Sequence, residues 1–499
     1  MTRLLYGGEI RRAAVIFDEN GAYPSTYIGQ GSNFGFTGGL MGLLNDDPDL
    51  KDAVSLAQDS GYDITFHKEQ LSARHPNEAR IDIYDENNEI AMSVLTFSTG
   101  GGMFEIVNMD GFPVFMDGSK QHIYICCLSE AAQELRTQLN KMSVSLEVCT
   151  QKDKTLFSVL EYRGEDEPSL LDLQHCFGVH WIRKAHAILP VMIRYDASPV
   201  FTSAKEALLY SEEFHKEAWE LAIDYESSVG VVKPDDVWRM AEHTLQIMKR
   251  SIDPPNPDST TQFGFLPYQS LKMNDAIPLT TSVDAGVLNK AAMMAIAVME
   301  NNCAHNMIVA APTAGSSGVI PSAIFSVGEQ LQCSESQLLK GLLTAGLVGS
   351  FIANQATFGA EVAACQAENG AASAMAAASI VQMLGGTVRQ SFMAASLALQ
   401  NMLGLVCDPV GGLTEIPCIS RNVSAVANVA LSANIVIWGF DPVIPLDETI
   451  ISMFHVGKML PWELRCTCKG GLCTTETGMT IAKRMERERQ DATSKTMED

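Results

Sequence analysis

Asn369-Gly-Ala-Ala-Ser-Ala-Met-Ala-Ala-Ala-Ser-Ile-Val-Gln-Met-Leu-Gly-Gly-Thr-Val388 carries no charged residue. Gly341 to Ala360 and Asn422 to Phe440 are equally free of charge, and each run approaches the length that spans a bilayer. Their content is Ala, Gly, Ser, Asn, Gln and Thr as much as Leu or Ile. That is too polar for lipid but suits helices packed closely on other helices and buried on every side. The expectation is a large helical domain and no membrane span. Ahead of it, Ser203 to Ile252 has helical periodicity, broken at Val232-Lys-Pro234. Pro254-Pro-Asn-Pro-Asp-Ser-Thr-Thr261 is dense in residues that stop helices and reads as a linker or active-site loop.

Residues 1–190 have a different texture. Ile81–Tyr84, Ile90–Phe97, Ile123–Cys127 and Val144–Val148 are short β-rich runs separated by turn clusters, while Asp49 to Ser60 reads as helical. The fold class expected is an α+β N-terminal domain followed by a mostly α-helical C-terminal domain. The divisions are 1–190, a helical connector at 191–253, a helical catalytic domain at 254–484, and a charged, disordered tail at 485–499.

Composition limits the functional classes. A chain of 499 residues exceeds what one core comfortably fills. Its net charge of −24 argues against nucleic acid and anionic membrane surfaces as partners. Twelve cysteines without a regular framework do not form a secreted disulfide scaffold. Met1 to Ile10 lacks the long apolar core of a signal peptide, so a cytoplasmic, reducing compartment is expected. The assembly expected is a homodimer.

Three cysteines stand in Gly/Ala-rich, nearly uncharged sequence: Cys365, Cys407 and Cys418. Three is the wrong number for a closed metal site. Three thiolates on a four-iron cube leave one iron without a protein ligand, and an open coordination position lets a metal act as a Lewis acid on a substrate. The alternative is three buried free cysteines, since cysteine is among the most buried residue types. A further group, Cys466, Cys468 and Cys473, has spacing suited to a metal, to a reserve ligand for an open iron, or to sulfur acceptance; incidental thiols are the plainer reading.

The surrounding text is more specific. Ala311-Pro-Thr-Ala-Gly-Ser-Ser-Gly318, Ala364-Cys-Gln-Ala-Glu-Asn-Gly370, Asn401-Met-Leu-Gly-Leu-Val-Cys-Asp-Pro-Val-Gly-Gly-Leu413 and Ile416-Pro-Cys-Ile-Ser-Arg-Asn422 succeed one another in order. In these runs the stretch from about Val309 to Gly478 resembles the alpha domain of the iron-sulfur-dependent L-serine dehydratases. The resemblance implies that Cys365, Cys407 and Cys418 hold a 4Fe–4S cluster. Met41 to Pro48, His75-Pro-Asn77, Ser98-Thr-Gly-Gly-Gly-Met103 and Asp110-Gly-Phe112 resemble the family's beta domain more loosely, which implies a fused beta-then-alpha chain. The family's Gly-Lys-Gly-His-Gly run, whose histidine looks like its catalytic base, is replaced by Gly29-Gln-Gly-Ser-Asn-Phe-Gly35.

The activity so implied is a lyase of amino-acid metabolism: β-elimination of L-serine or a related β-hydroxy amino acid to a 2-oxo acid and ammonia. An open iron binds the β-hydroxyl as the leaving group, and a positioned base takes the α proton. His75 is the expected base, with His305 a lesser candidate. Thr313, Gly315, Ser316 and Ser317 offer backbone and hydroxyl donors to a carboxylate. Arg421 is a further carboxylate candidate, or else pairs with Asp408. Ser32 and Asn33 stand where the histidine is missing and are placed as substrate-holding groups. No pyridoxal phosphate lysine motif competes. Two alternatives stay open: elimination of another β-substituent, such as the sulfur of cysteine, and a non-catalytic amino-acid-binding relative.

Overall fold

The computed structural model describes residues 1–495 apart from 72, 141–144, 151–156, 164–177, 189–196, 257–264 and 277–282. Its N-terminal part contains two sheets. The first has six strands, β1 (Arg12–Asp18), β2 (Asp63–Glu69), β3 (Glu78–Tyr84), β4 (Ile90–Gly100), β5 (Met103–Met109) and β6 (Phe112–Met116), in the order β2-β1-β3-β4-β5-β6. The β1–β2 pair is parallel and the rest are antiparallel. The second sheet orders β7 (His122–Leu128), β8 (Ser145–Thr150), β9 (Phe157–Arg163) and β10 (Val179–Ala185) as β10-β7-β9-β8. Alternation is clean in β6, where Phe112, Val114 and Met116 are buried while Pro113 and Phe115 are exposed, so one face meets the core.

From Ala204 onward the described chain is helical apart from loops and short turns. The charge-free run at Asn369 forms the helix Ala371–Met383, in which every residue is buried. It packs against Glu335–Gln355, Val388–Gln400, Val319–Gln330 and Cys418–Ile437. Small residues make the approach possible: a methyl on Gly341 would lie 2.8 Å from the Ser379 hydroxyl, and one on Gly349 would lie 2.9 Å from Met375 Cε. Ser334 and Thr387 start two of these helices by accepting the N–H of Gln337 and Gln390, each a reciprocal cap. Among the described residues one helix, Glu335–Gln355, is long and apolar enough to cross a bilayer; its Gly341 and Gly349 are buried in this core.

Two boundaries differ from those expected. Helices Ala204–Phe214, Ala218–Val229 and Pro234–Ser251 share one continuous core with the later helices through Ala207, Leu221 and Leu245, so 191–253 is not a separate connector. The helix Glu476–Lys495 runs through most of the segment expected to be a disordered tail, and Met485 is buried beside Val410, Leu413 and Ile481. That contact supplies the apolar anchor that composition did not reveal. Residues 257–261 of the proline-rich loop lie outside the described residues.

Candidate active site

Cys365 precedes a single π-helical turn, Gln366–Gly370, whose wide coil places Glu368 back against the same sulfur. Cys407 lies on an extended segment that pairs with the chain at 464–466: its N–H donates to Leu464 O at 2.8 Å, and Cys466 N–H donates back to Cys407 O at 3.0 Å. Cys418 is the first residue of the helix Cys418–Ile437. The Sγ atoms of Cys365 and Cys407 and a carboxylate oxygen of Glu368 lie within 4.8 Å of one another. Cys407 makes sulfur contacts with Cys365 and Cys466, and Cys418 faces both of those thiols. Four buried cysteines from four segments therefore converge, and of the group Cys466, Cys468 and Cys473 it is Cys466 that joins them. Cys468 and Cys473 instead point at Pro409 O, at 3.3 and 3.2 Å.

Charge around the sulfurs is arranged in one sense. Arg421 Nη2 pairs with Asp408 Oδ1 at 2.7 Å, while Nη1 donates to Val406 O at 2.9 Å and reaches Cys365 Sγ at 3.7 Å. Contacts with Cys365 and Cys466, followed by burial, hold the Cys407 thiol well above its ordinary range. Burial, then its neighbours Cys365, Glu368 and Cys466, does the same for Cys418. Cys466 is pulled down by its contact with Cys407 but pushed up to about 12 by burial and by Glu361 and Glu368. Burial raises Glu368 to about 7, against the opposing hydrogen bond from Thr313 Oγ1 at 2.7 Å.

A cavity of about 360 Å³ opens onto Cys407, Cys418 and Cys466. Its floor is Thr313 to Gly315, Glu361 and Glu368, from the helical part. Its roof is the N-terminal part: Gly29, Gln30 and Ser32 from one loop, Asn77, and the Ser98 and Gly100–Gly102 hairpin tip. Glycine is required where the two parts meet. A methyl on Gly29 would sit 2.2 Å from Gly412 O, and Gly100, at φ +92, would place one 2.5 Å from Gly359 N. Four of the nine non-glycine residues with positive φ among those described, His305, Ala364, Cys466 and Cys468, border this region.

Asn422 fastens the Ala311 loop to the Cys418 helix. Its Nδ2 donates to Gly315 O at 2.8 Å and Cys418 O at 2.9 Å, and its Oδ1 accepts Gly318 N–H at 3.0 Å. Of the residues expected to bind substrate, Thr313, Gly315 and Ser32 line the cavity. Ser316 and Ser317 do not: both are fully buried, Ser316 bonded within its own loop and Ser317 against Met299 Sδ at 3.6 Å. Asn33 also lies off the cavity, and Arg421 is turned toward Asp408 and Cys365. His75, the expected base, stacks on Phe97 at 4.6 Å, and its Nδ1 accepts the Asn77 N–H at 3.1 Å. Asn77, two residues on, is what fronts the cavity. Glu368 was missed although it is the sole charge between Glu361 and Arg389, a signal legible in sequence.

Comparison with known proteins matches residues 140–473 to the family model described as serine dehydratase alpha chain. The chain is 37% identical over 286 residues to the probable L-serine dehydratase alpha chain of Bacillus subtilis (strain 168), covering 57% of this chain and 95% of that one. It is 34% identical over 285 residues to the L-serine dehydratase alpha chain of Peptoniphilus asaccharolyticus, covering 57% and 98%. Against L-serine dehydratase 2 of Escherichia coli (strain K12) it is 36% identical over 196 residues, covering 39% and 43%. With the matched region running from the β8 segment through the helices to Cys473, and containing all four converging cysteines, the chain belongs to the serine dehydratase alpha-chain family.

Proposed function

We propose that this protein is an L-serine dehydratase that eliminates water from L-serine, or a related β-hydroxy amino acid, and yields the 2-oxo acid and ammonia through a 4Fe–4S cluster held by Cys365, Cys407 and Cys418. The observation that carries this is the convergence of those thiols, with Cys407 and Cys418 lining a cavity of about 360 Å³, the right scale for a small amino acid with its surrounding water. The donor set fits the group: soft thiols from separate elements, shielded from water, with the Arg421 guanidinium beside Cys365 to offset thiolate charge. When bound, the cluster would supply a Lewis acid toward the leaving hydroxyl.

The protein's own residues supply the rest. The Thr313–Gly315 loop and the Ser98–Gly102 tip face each other across the cavity with backbone N–H groups and hydroxyls suited to a carboxylate and an ammonium. The N-terminal part acts as a beta-like domain that roofs the site and limits water, which strengthens every polar contact inside. Cys466 stands beside Cys407 as a reserve thiol and is not required to hold the group.

The test is anaerobic reconstitution followed by a panel of amino acids and hydroxy acids, with 2-oxo acid, ammonia and sulfide read separately. Cys365→Ser, Cys407→Ser and Cys418→Ser should each lose iron, visible absorbance and activity together. Cys466→Ser should keep iron, and Cys333→Ser should match the unaltered protein. Stoichiometric zinc without colour, or iron retained in the triple variant, would overturn the cluster assignment.

A further inference from the structure

His305 is the one imidazole among the described residues that lines the cavity. It follows the helix Val287–Cys303, in a tight turn at φ +54, with its N–H donating to Asn302 O at 3.0 Å and the next residue pinned by Asn306 N–H to Asn301 O at 2.9 Å. A non-glycine residue in the left-handed region is held there by its surroundings. The ring then crosses from the helical part to the N-terminal part. It packs edge-on against Phe34 with centroids 4.9 Å apart. A methyl at Gly31, itself at φ +71, would come within 3.1 Å of His305 Nδ1, so glycine there lets the imidazole close on the loop beside Ser32.

Neither ring nitrogen has a hydrogen-bond partner among the described residues. His305 is half-buried at the cavity wall, which leaves its ring open to a ligand there. The competing groups are engaged: Glu368 accepts from Thr313 and touches Cys365, Glu361 accepts from the Asn77 side chain, His75 is off the cavity, Cys407 and Cys418 belong to the proposed cluster, and Cys466 contacts Cys407. Burial holds His305 below the ordinary histidine value, so it is neutral near pH 7 and able to accept a proton.

Resting on the dehydratase reading, we infer that His305 is the catalytic base that removes the α proton of the substrate. The C–H electron pair forms the Cα–Cβ double bond as the Cβ–O bond breaks. The proton passes from imidazolium to the departing hydroxide, so water leaves and no oxidant or reductant is consumed.

The experiment uses reconstituted full-length His305→Ala and His305→Gln beside the unaltered protein. Both should keep iron content and visible absorbance, lose about 10²- to 10⁴-fold in kcat with little change in KM, and stop exchanging the α hydrogen of L-serine with solvent. Added imidazole should restore part of the rate in His305→Ala alone. A variant within threefold of normal kcat, or with full exchange, overturns the assignment, as does loss of rate without imidazole rescue and with a matching rise in KM. If the unaltered protein turns over a different panel compound, the serine reading fails and His305 is judged by the same measurements on that compound; if nothing turns over, both fail.

Discussion

Asn422 shows how much one buried side chain can decide. It satisfies Gly315 O, Cys418 O and Gly318 N–H at once, with no exposure to solvent. In Asn422→Ala those backbone groups lose their shared partner, at a cost of about 1–3 kcal/mol. The expected result is a lower thermal midpoint by calorimetry, together with slower cluster reconstitution because the Ala311 loop and Cys418 are no longer held in register. Two histidines set a pH dependence. Burial lowers both His75 and His305 from the ordinary 6.5. The folded state therefore binds fewer protons than the unfolded chain below that value, and stability rises with pH through this window. Denaturant titrations at pH 5 and pH 8 should give a larger stability difference for the unaltered protein than for a His75→Gln, His305→Gln variant; equal differences would exclude the two rings as the source. No charged group enters the causes of the His305 shift; the ionisable groups that share its cavity walls are Tyr23, Cys303, Glu361, Glu368, Glu415 and the thiols of Cys407, Cys418 and Cys466.

At the scale of elements, backbone comes close to backbone where the two parts meet. Gly29 approaches Gly412 O, Gly412 at φ +72 approaches Ser25 O, and Thr357 Oγ1 donates to Thr99 O at 3.2 Å. A Gly29→Ala methyl placed 2.2 Å from a carbonyl oxygen cannot be absorbed by a side-chain rotation, so the roof must lift. Such overpacking costs about 1–3 kcal/mol. Gly29→Ala should raise KM and lower kcat while leaving iron content normal, because Cys365, Cys407 and Cys418 all lie in the helical part. Coupled loss of iron would instead mean that the roof helps hold the metal site. The π turn at Gln366–Gly370 has the opposite character: it is internal to the helical core, and Gln366, whose Nε2 donates to Met453 O at 2.9 Å while its Oε1 accepts Gly404 N–H at 2.9 Å, locks it to the helix Leu446–Met459.

Across the whole molecule, the cavity exists only because both parts contribute walls. L-Serine added to the reconstituted protein should therefore slow hydrogen exchange in three distant stretches of sequence together, the 29–32 and 98–102 loops of the roof and the 313–315 loop of the floor, as measured by mass spectrometry; protection confined to the helical part would remove the roof from the site. The helical architecture was legible in the chain because runs without charge but rich in Ala, Gly and Ser suit close helix packing; Ala371–Met383 is buried on all sides as expected, whereas the run at 422–440 leaves Leu431 and Trp438 exposed. Cys365, Cys407 and Cys418 were read as a set through the family-like runs that hold them, and their thiols lie together in the fold. Other features depended on contacts between residues far apart in sequence. Cys466 joins the other cysteines through pairing of its N–H with Cys407 O, His75 gives way to Asn77 because the turn ahead of β3 stacks the imidazole on Phe97, and Arg421 turns to Asp408 rather than to the cavity. The sequence by itself determined which segments had to be buried and which side chains could do chemistry, since burial and reactivity follow from residue type. Only the tertiary structure decided which of those side chains face the same cavity, since that depends on the packing of segments that local periodicity does not relate.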